Sequence, residues 1–211
     1  MATTRPPARG GDAVWAKMPK ANGELFALTY GSLVTQLIKD FEDLKLVNQQ
    51  LDTMSADLTR LFGGYNIGIR LIDEFLAKSG VTGCQDFRET AEVVAKVAFK
   101  MFLGINAEVA QWNADNSACS LLIYDNPLTV GVDSHVLHPT PEFVELPPSA
   151  YGVLWYSNVL CGVVRGALEM VQMNVEAKFV KDVLQGDEVS EIRLELKGMI
   201  EEAMGDEYKE D

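Results

Sequence analysis

One segment limits the fold more than any other. From Tyr156 to Met173 the larger polar side chains, Asn158, Arg165, Glu169 and Gln172, recur at spacings of seven, four and three. On a helix they share one narrow stripe, and most of the remaining circumference is apolar. Such a helix is stable only when other elements enclose it. It must be central, and the rest of the chain must supply its covering layers.

The segments around it provide those layers. Phe26, Tyr30, Leu33, Val34, Leu37 and Phe41 form a continuous helical stripe, the first helix. A second helical region runs from about Val47 to Lys78 and is bent or broken at Gly63-Gly64, with a stop at Ser79-Gly80. The third helix has the clearest start. Asp86 can cap it and Glu89 can return a bond, while Phe87, Ala91, Val94, Val97, Ala98, Met101 and Phe102 form its buried face as far as Gly104. Val109 to Trp112 and Ser120 to Tyr124 read as two strands. Thr129 to Pro148, with Pro139, Pro141, Pro147, Pro148 and both histidines, reads as a surface loop. After the central helix, two strands alternate with period two: Val175, Ala177 and Phe179, then Ile192, Leu194 and Leu196, joined at Gly186-Asp187. The expected fold is an α+β plait of order ααα-ββ-α-ββ. Residues 1–22 form a flexible N-terminal arm, 23–200 a single domain and 201–211 an acidic tail.

Charge and cysteine usage narrow the function. With 31 acidic against 18 basic side chains, the chain lacks the cationic surface that gives affinity for nucleic acid. The start of the chain has no apolar core of a secretory signal. The longest nearly uncharged run, Val153 to Val164, is too short to span a bilayer, so a cytoplasmic protein without a transmembrane segment is expected. Cys84, Cys119 and Cys161 are widely spaced and make no C-x-x-C pair, which suits a reducing compartment. His135 and His138 stand in the proline-rich loop without the partners of a metal site or catalytic base, and no phosphate-binding glycine motif is present. No metal and no catalytic residue is expected.

Two features point toward an apolar ligand without deciding the matter. Gly162 and Gly166 lie one turn apart on the central helix, and Ala91, Ala95 and Ala98 give the third helix a smooth surface. Close helix packing and an apolar channel between the two surfaces both fit this pattern. Cys84 sits just before the third helix, where unpaired N–H groups favour a thiolate, although a lone cysteine also serves as a small inert hydrophobe.

Several strings together carry a resemblance: Leu28-Thr29-Tyr30-Gly31, Gly64-Tyr65-Asn66-Ile67-Gly68, Asp86-Phe87-Arg88-Glu89-Thr90-Ala91, Lys96-Val97-Ala98-Phe99-Lys100-Met101 and above all the segment from Tyr156 to Met173. Over about residues 24 to 200 the chain resembles the Bet-three family of transport protein particle (TRAPP) subunits. The resemblance implies the same α+β plait, with its helical half pairing with related subunits or, in isolation, with a second copy. It implies a non-catalytic core subunit of a vesicle-tethering complex that acts as nucleotide exchange factor for a Rab GTPase in endoplasmic-reticulum-to-Golgi traffic, peripheral to those membranes. It also implies a palmitate on Cys84, buried in an internal channel whose lining would include Ala91, Val94, Ala98, Gly162 and Gly166. The sequence departs from the family pattern at Gly83, where a basic side chain is expected, and in insertions at about 53–63 and 129–141.

From Asp187 on, ten acids face three bases. Such a tail serves as a solvated end. The family resemblance adds a role for Glu201, Glu202, Asp206 and Glu207 near the nucleotide site of the GTPase. Two rival functions are a lipid-binding module whose channel is itself the function, and an acyl-transferring enzyme, for which Cys84 lacks a neighbouring base.

Overall fold

The computed structural model describes residues 10–52, 63–130, 132 and 144–200. Its helical half comprises α1 (Gly11–Trp15), α2 (Gly23–Phe41), α3 (Leu44–Asp52), α4 (Gly64–Ser79), α5 (Phe87–Val93) and α6 (Phe99–Leu103). The strands β1 (Glu108–Ala110) and β2 (Ala118–Ile123) follow, then α7 (Val159–Glu169), β3 (Met173–Lys181) and β4 (Ser190–Met199). All four strands join one antiparallel sheet in the order β1-β2-β4-β3. This is the α+β architecture expected from the pattern.

Local chemistry sets the helix ends. Asn22 accepts the Leu25 N–H at 2.8 Å and opens α2. Asp86 accepts the Glu89 N–H at 2.8 Å, and the Glu89 carboxylate takes the Gln85 N–H at 2.6 Å, so the capping box closes one residue earlier than its usual form. The third helix of the sequence reading is interrupted. Between α5 and α6, Val94–Ala98 forms a π-helical turn, and the Ala95 carbonyl accepts the Ala107 N–H at 3.0 Å.

α7 occupies the centre, with Val159, Leu160, Cys161, Gly162, Val164, Gly166 and Leu168 buried. One side meets the sheet, where Val175, Phe179, Ile192 and Leu194 point inward. The other crosses α4 so closely that their backbones touch. A Cβ on Gly64 would lie 2.0 Å from the Val159 carbonyl oxygen, and one on Gly68 would lie 2.2 Å from that of Val163. On the opposite helix, Cβ atoms on Gly162 and Gly166 would collide with the Asp52 and Tyr65 carbonyl oxygens at 2.1 and 2.2 Å. The polar stripe of α7 lies on this same face. Arg165 pairs with Asp52 at 3.0 Å, and Asn158 donates to the Asn48 carbonyl at 2.8 Å.

Two sequence expectations are corrected. Within the stretch read as a mobile arm, Gly11–Trp15 is helical and Val14 is buried against Ile72, Phe75, Val81 and Met101. An apolar cluster of one turn is too short to reveal a period. The proline-rich loop is not wholly on the surface either: Val132, Val144 and Leu146 are buried, and Val132 and Val144 form a parallel bridge. His135, His138, the tail residues 201–211 and most of the expected insertions lie outside the described residues.

At the turn between β3 and β4, Asp182 is fully buried. Its side chain accepts the Leu184 N–H at 3.0 Å, and the other carboxylate oxygen has no partner. Burial pushes this carboxyl up to about 6, with the Asp187 carboxylate adding to the effect and the Leu184 bond opposing it. The folded state therefore holds a proton that the unfolded chain releases near its ordinary value, and stability from this site falls as pH rises between about 4 and 6. Relative to wild type, Asp182→Asn should gain stability across that window, on the order of 3 kcal/mol in total, and show no further change above pH 7. Urea unfolding at several pH values measures it. A second test addresses the helix crossing: Gly68→Val, which forces side-chain atoms into the Val163 carbonyl, should cost at least about 2 kcal/mol in the same assay.

Candidate functional site

The crossing of α4 and α7 brings their backbones together on one face and leaves space beside it. There Ile67, Leu71 and Phe75 from α4, Val163 and Ala167 from α7 and Val171 from the turn that follows α7 border a cavity of about 810 Å³. That size falls within the range of small-molecule sites, roughly 300–1,000 Å³. Val94, Ala98, Phe99 and Phe102, from the π-turn and α6, form another wall, and Phe26, Tyr30 and Leu33 of α2 a further one. Met173 and Met199 also border it. Phe26, Leu76 and Met199 are exposed at 46, 38 and 59%, so the space reaches the protein surface there.

Among the described residues, no charged side chain lines this cavity. Its hydroxyls are turned away from any guest by bonds to backbone carbonyls: Thr29 to Leu25 at 2.7 Å, Thr90 to Asp86 at 2.8 Å and Tyr30 to Tyr156. Burial raises the Tyr30 phenol well above its ordinary range, with the neighbouring Tyr156 adding to the shift, so it stays protonated. Such a surface gives an anion or a sugar nothing to bind and suits a hydrocarbon chain.

Cys84 and Gly83 lie on the cavity border, in the link between α4 and α5. The Gly83 backbone, at φ 151°, adopts a conformation that L side chains rarely take. None of the three cysteines forms a disulfide. Cys84 is partly exposed, and the other two are buried. Burial pushes the Cys119 thiol up to about 11 and the Cys161 thiol well above its ordinary value, which removes both as nucleophiles near neutral pH.

Of the residues named from sequence, the structure brings Cys84, Val94 and Ala98 together on this cavity and leaves three away from it. Ala91 is packed in the main core, and Gly162 and Gly166 are filled against the backbone of α3 and α4. The glycines could not have faced an apolar channel, because they share a helical face with Asn158, Arg165 and Glu169. That spacing was readable in the sequence. So were the walls missed there, since Ile67/Leu71/Phe75 and Val163/Ala167/Val171 both recur every four residues.

Comparison with known proteins decides the family. The family model described as "Transport protein particle (TRAPP) component" matches residues 26–195. The chain belongs to the TRAPP component family. Trafficking protein particle complex subunit 3 of Dictyostelium discoideum is 54% identical over 190 residues, covering 90% of this chain and 91% of that one. The BET3 subunit of the Saccharomyces cerevisiae complex is 42% identical over 194 residues, covering 91% and 90%. A crystal structure of trafficking protein particle complex subunit 3 from Naegleria fowleri, covalently bound to palmitic acid, superposes with a TM-score of 0.73 at 49% identity. It covers 86% of this chain and 98% of that one. No helix among the described residues of this TRAPP component is long and apolar enough to cross a membrane.

The three thiols should separate by reactivity. In native protein that carries no modification, a maleimide at pH 7.5 should label Cys84 alone, and Cys119 and Cys161 only after unfolding. Peptide mapping by mass spectrometry identifies the labelled site.

Proposed function

We propose that this TRAPP component carries a palmitoyl group as a thioester on Cys84, with the hydrocarbon chain lying in the cavity between α4, α6 and α7. What supports this most is a single observation: the partly exposed Cys84 borders a cavity with no charged lining among the described residues, whose hydroxyls are turned to backbone carbonyls. The covalently bound palmitic acid of the Naegleria fowleri relative agrees with it. Burying the chain gains about 0.8 kcal/mol per methylene. An acyl group held inside in this way stabilises the fold and does not anchor it to a bilayer.

The role we infer is that of a non-catalytic core subunit. It pairs with related subunits through its helical half and holds them in the register that a Rab exchange surface requires, in a complex peripheral to the endoplasmic reticulum and the Golgi. The exposed apolar side chains Leu25, Phe26 and Leu28 at the start of α2 suit such pairing. Glu201, Glu202, Asp206 and Glu207 remain proposed contacts to the GTPase.

Intact-mass measurement of protein from eukaryotic cells should find an adduct of one palmitoyl group, removed by neutral hydroxylamine and absent from Cys84→Ser. Ala98→Phe, which fills the cavity and leaves the cysteine itself in place, should lower the acylated fraction at least about tenfold while the fold persists by circular dichroism. The purified chain alone should not accelerate GDP release from a Rab GTPase. Cys84→Ser protein that still assembles with its partners would make the lipid a structural device, whereas loss of every function with assembly intact would favour a lipid-binding module.

A further inference from the structure

We propose that the N-terminal helix α1 is a strap that holds the π-turn in place and thereby sets the width of the cavity beside Cys84. The inference rests on the reading of that cavity as an acyl site and adds its regulation.

The π-turn is held from two sides. On one, the Ala95 carbonyl accepts the Ala107 N–H at 3.0 Å. On the other, Gly11 lies so close that a Cβ there would stand 2.1 Å from the Lys96 carbonyl oxygen and 2.9 Å from the Lys100 Cβ. A π-helical turn inserts one residue into the helix and is kept only where its surroundings hold it. Val94 and Ala98, its first and last residues, are cavity walls.

α1 packs on the back of those same walls. Val14 is 3% exposed and belongs to a cluster with Ile72, Phe75 and Val81, all of which border the cavity on their other side. Cys84 and Ala98 pack against this cluster too. Further contacts fasten the strap at its ends: Asp12 pairs with Lys100 at 3.4 Å, and the Trp15 ring covers Gly104, the residue that ends α6. A five-residue helix does not persist alone. Its order derives from this packing, so anything that firms or loosens the walls also changes strap docking. By linkage, strap release must then weaken binding in the cavity by the same factor by which ligand strengthens the strap.

The test uses the full chain as Cys84→Ser, with cis-parinaric acid as a fluorescent fatty-acid probe, so that it does not depend on acylation. Two variants release the strap by different means: Gly11→Val through collision with the Lys96 carbonyl, and Val14→Ser through loss of apolar burial. Hydrogen–deuterium exchange of residues 12–18 reports docking, and near-ultraviolet circular dichroism reports the remaining fold. The proposal expects exchange of 12–18 to speed up in both variants, the probe to bind about tenfold more weakly, and the probe to slow that exchange in the parent. Exchange unchanged in both variants, or affinity unchanged despite faster exchange, overturns it. Intact mass of the wild-type chain separately decides whether Cys84 is acylated, so failure of the strap and failure of the acyl site are distinguishable.

Discussion

Contact between the backbones of α4 and α7 governs how the rest of this molecule is arranged. Four glycines, two on each helix and each pair one turn apart, let the chains meet where any Cβ would be within about 2 Å of a carbonyl oxygen. The polar groups of α7 are consumed on that same face by Asn48 and Asp52. With the helices already in contact they cannot approach further. The larger side chains that flank the crossing then diverge, and an apolar space opens beside it. The cavity follows from the glycines without being lined by them.

A cavity of this kind, about 810 Å³ and open at one side, leaves apolar side chains facing water, and covering them gains roughly 25 cal/mol per Å². Side chains could collapse into the space or a guest could fill it. Collapse is hindered because the walls are fixed elsewhere: α7 by the sheet, α4 by α7, and the π-turn by Ala107 and α1. The proposed hydrocarbon chain tethered at Cys84 would cover these walls with apolar surface.

Much of this was legible in the sequence, and the reasons differ by element. The central helix was visible because Asn158, Arg165 and Glu169 recur at helical spacing, and the β3–β4 hairpin because its apolar residues alternate. Cys84, Val94 and Ala98 all border the cavity; Cys84 was singled out by its position before a helix cap and Ala98 by its place on a small-residue face, and the family resemblance joined them to one acyl site. Gly162 and Gly166 were open to two readings, and the decisive clue was that they shared a face with the polar stripe and had counterparts at Gly64 and Gly68. The π-turn has no sequence signature of its own, since it depends on what Ala107 and Gly11 do across space. The strap escaped because one turn of helix carries too few residues to display a period, and the buried ends of the proline-rich loop escaped because prolines there mark turns without saying what lies beneath them.

The central claim is that the space beside the α4–α7 crossing is filled by a chain covalently joined to Cys84. A high-resolution crystal structure of the protein purified from eukaryotic cells tests it most directly. The account predicts continuous density leading from the Cys84 sulfur between Val94, Ala98 and Val163. A bare Cys84 thiol beside walls that have closed on one another, in protein that assembles with its partner subunits, would contradict it.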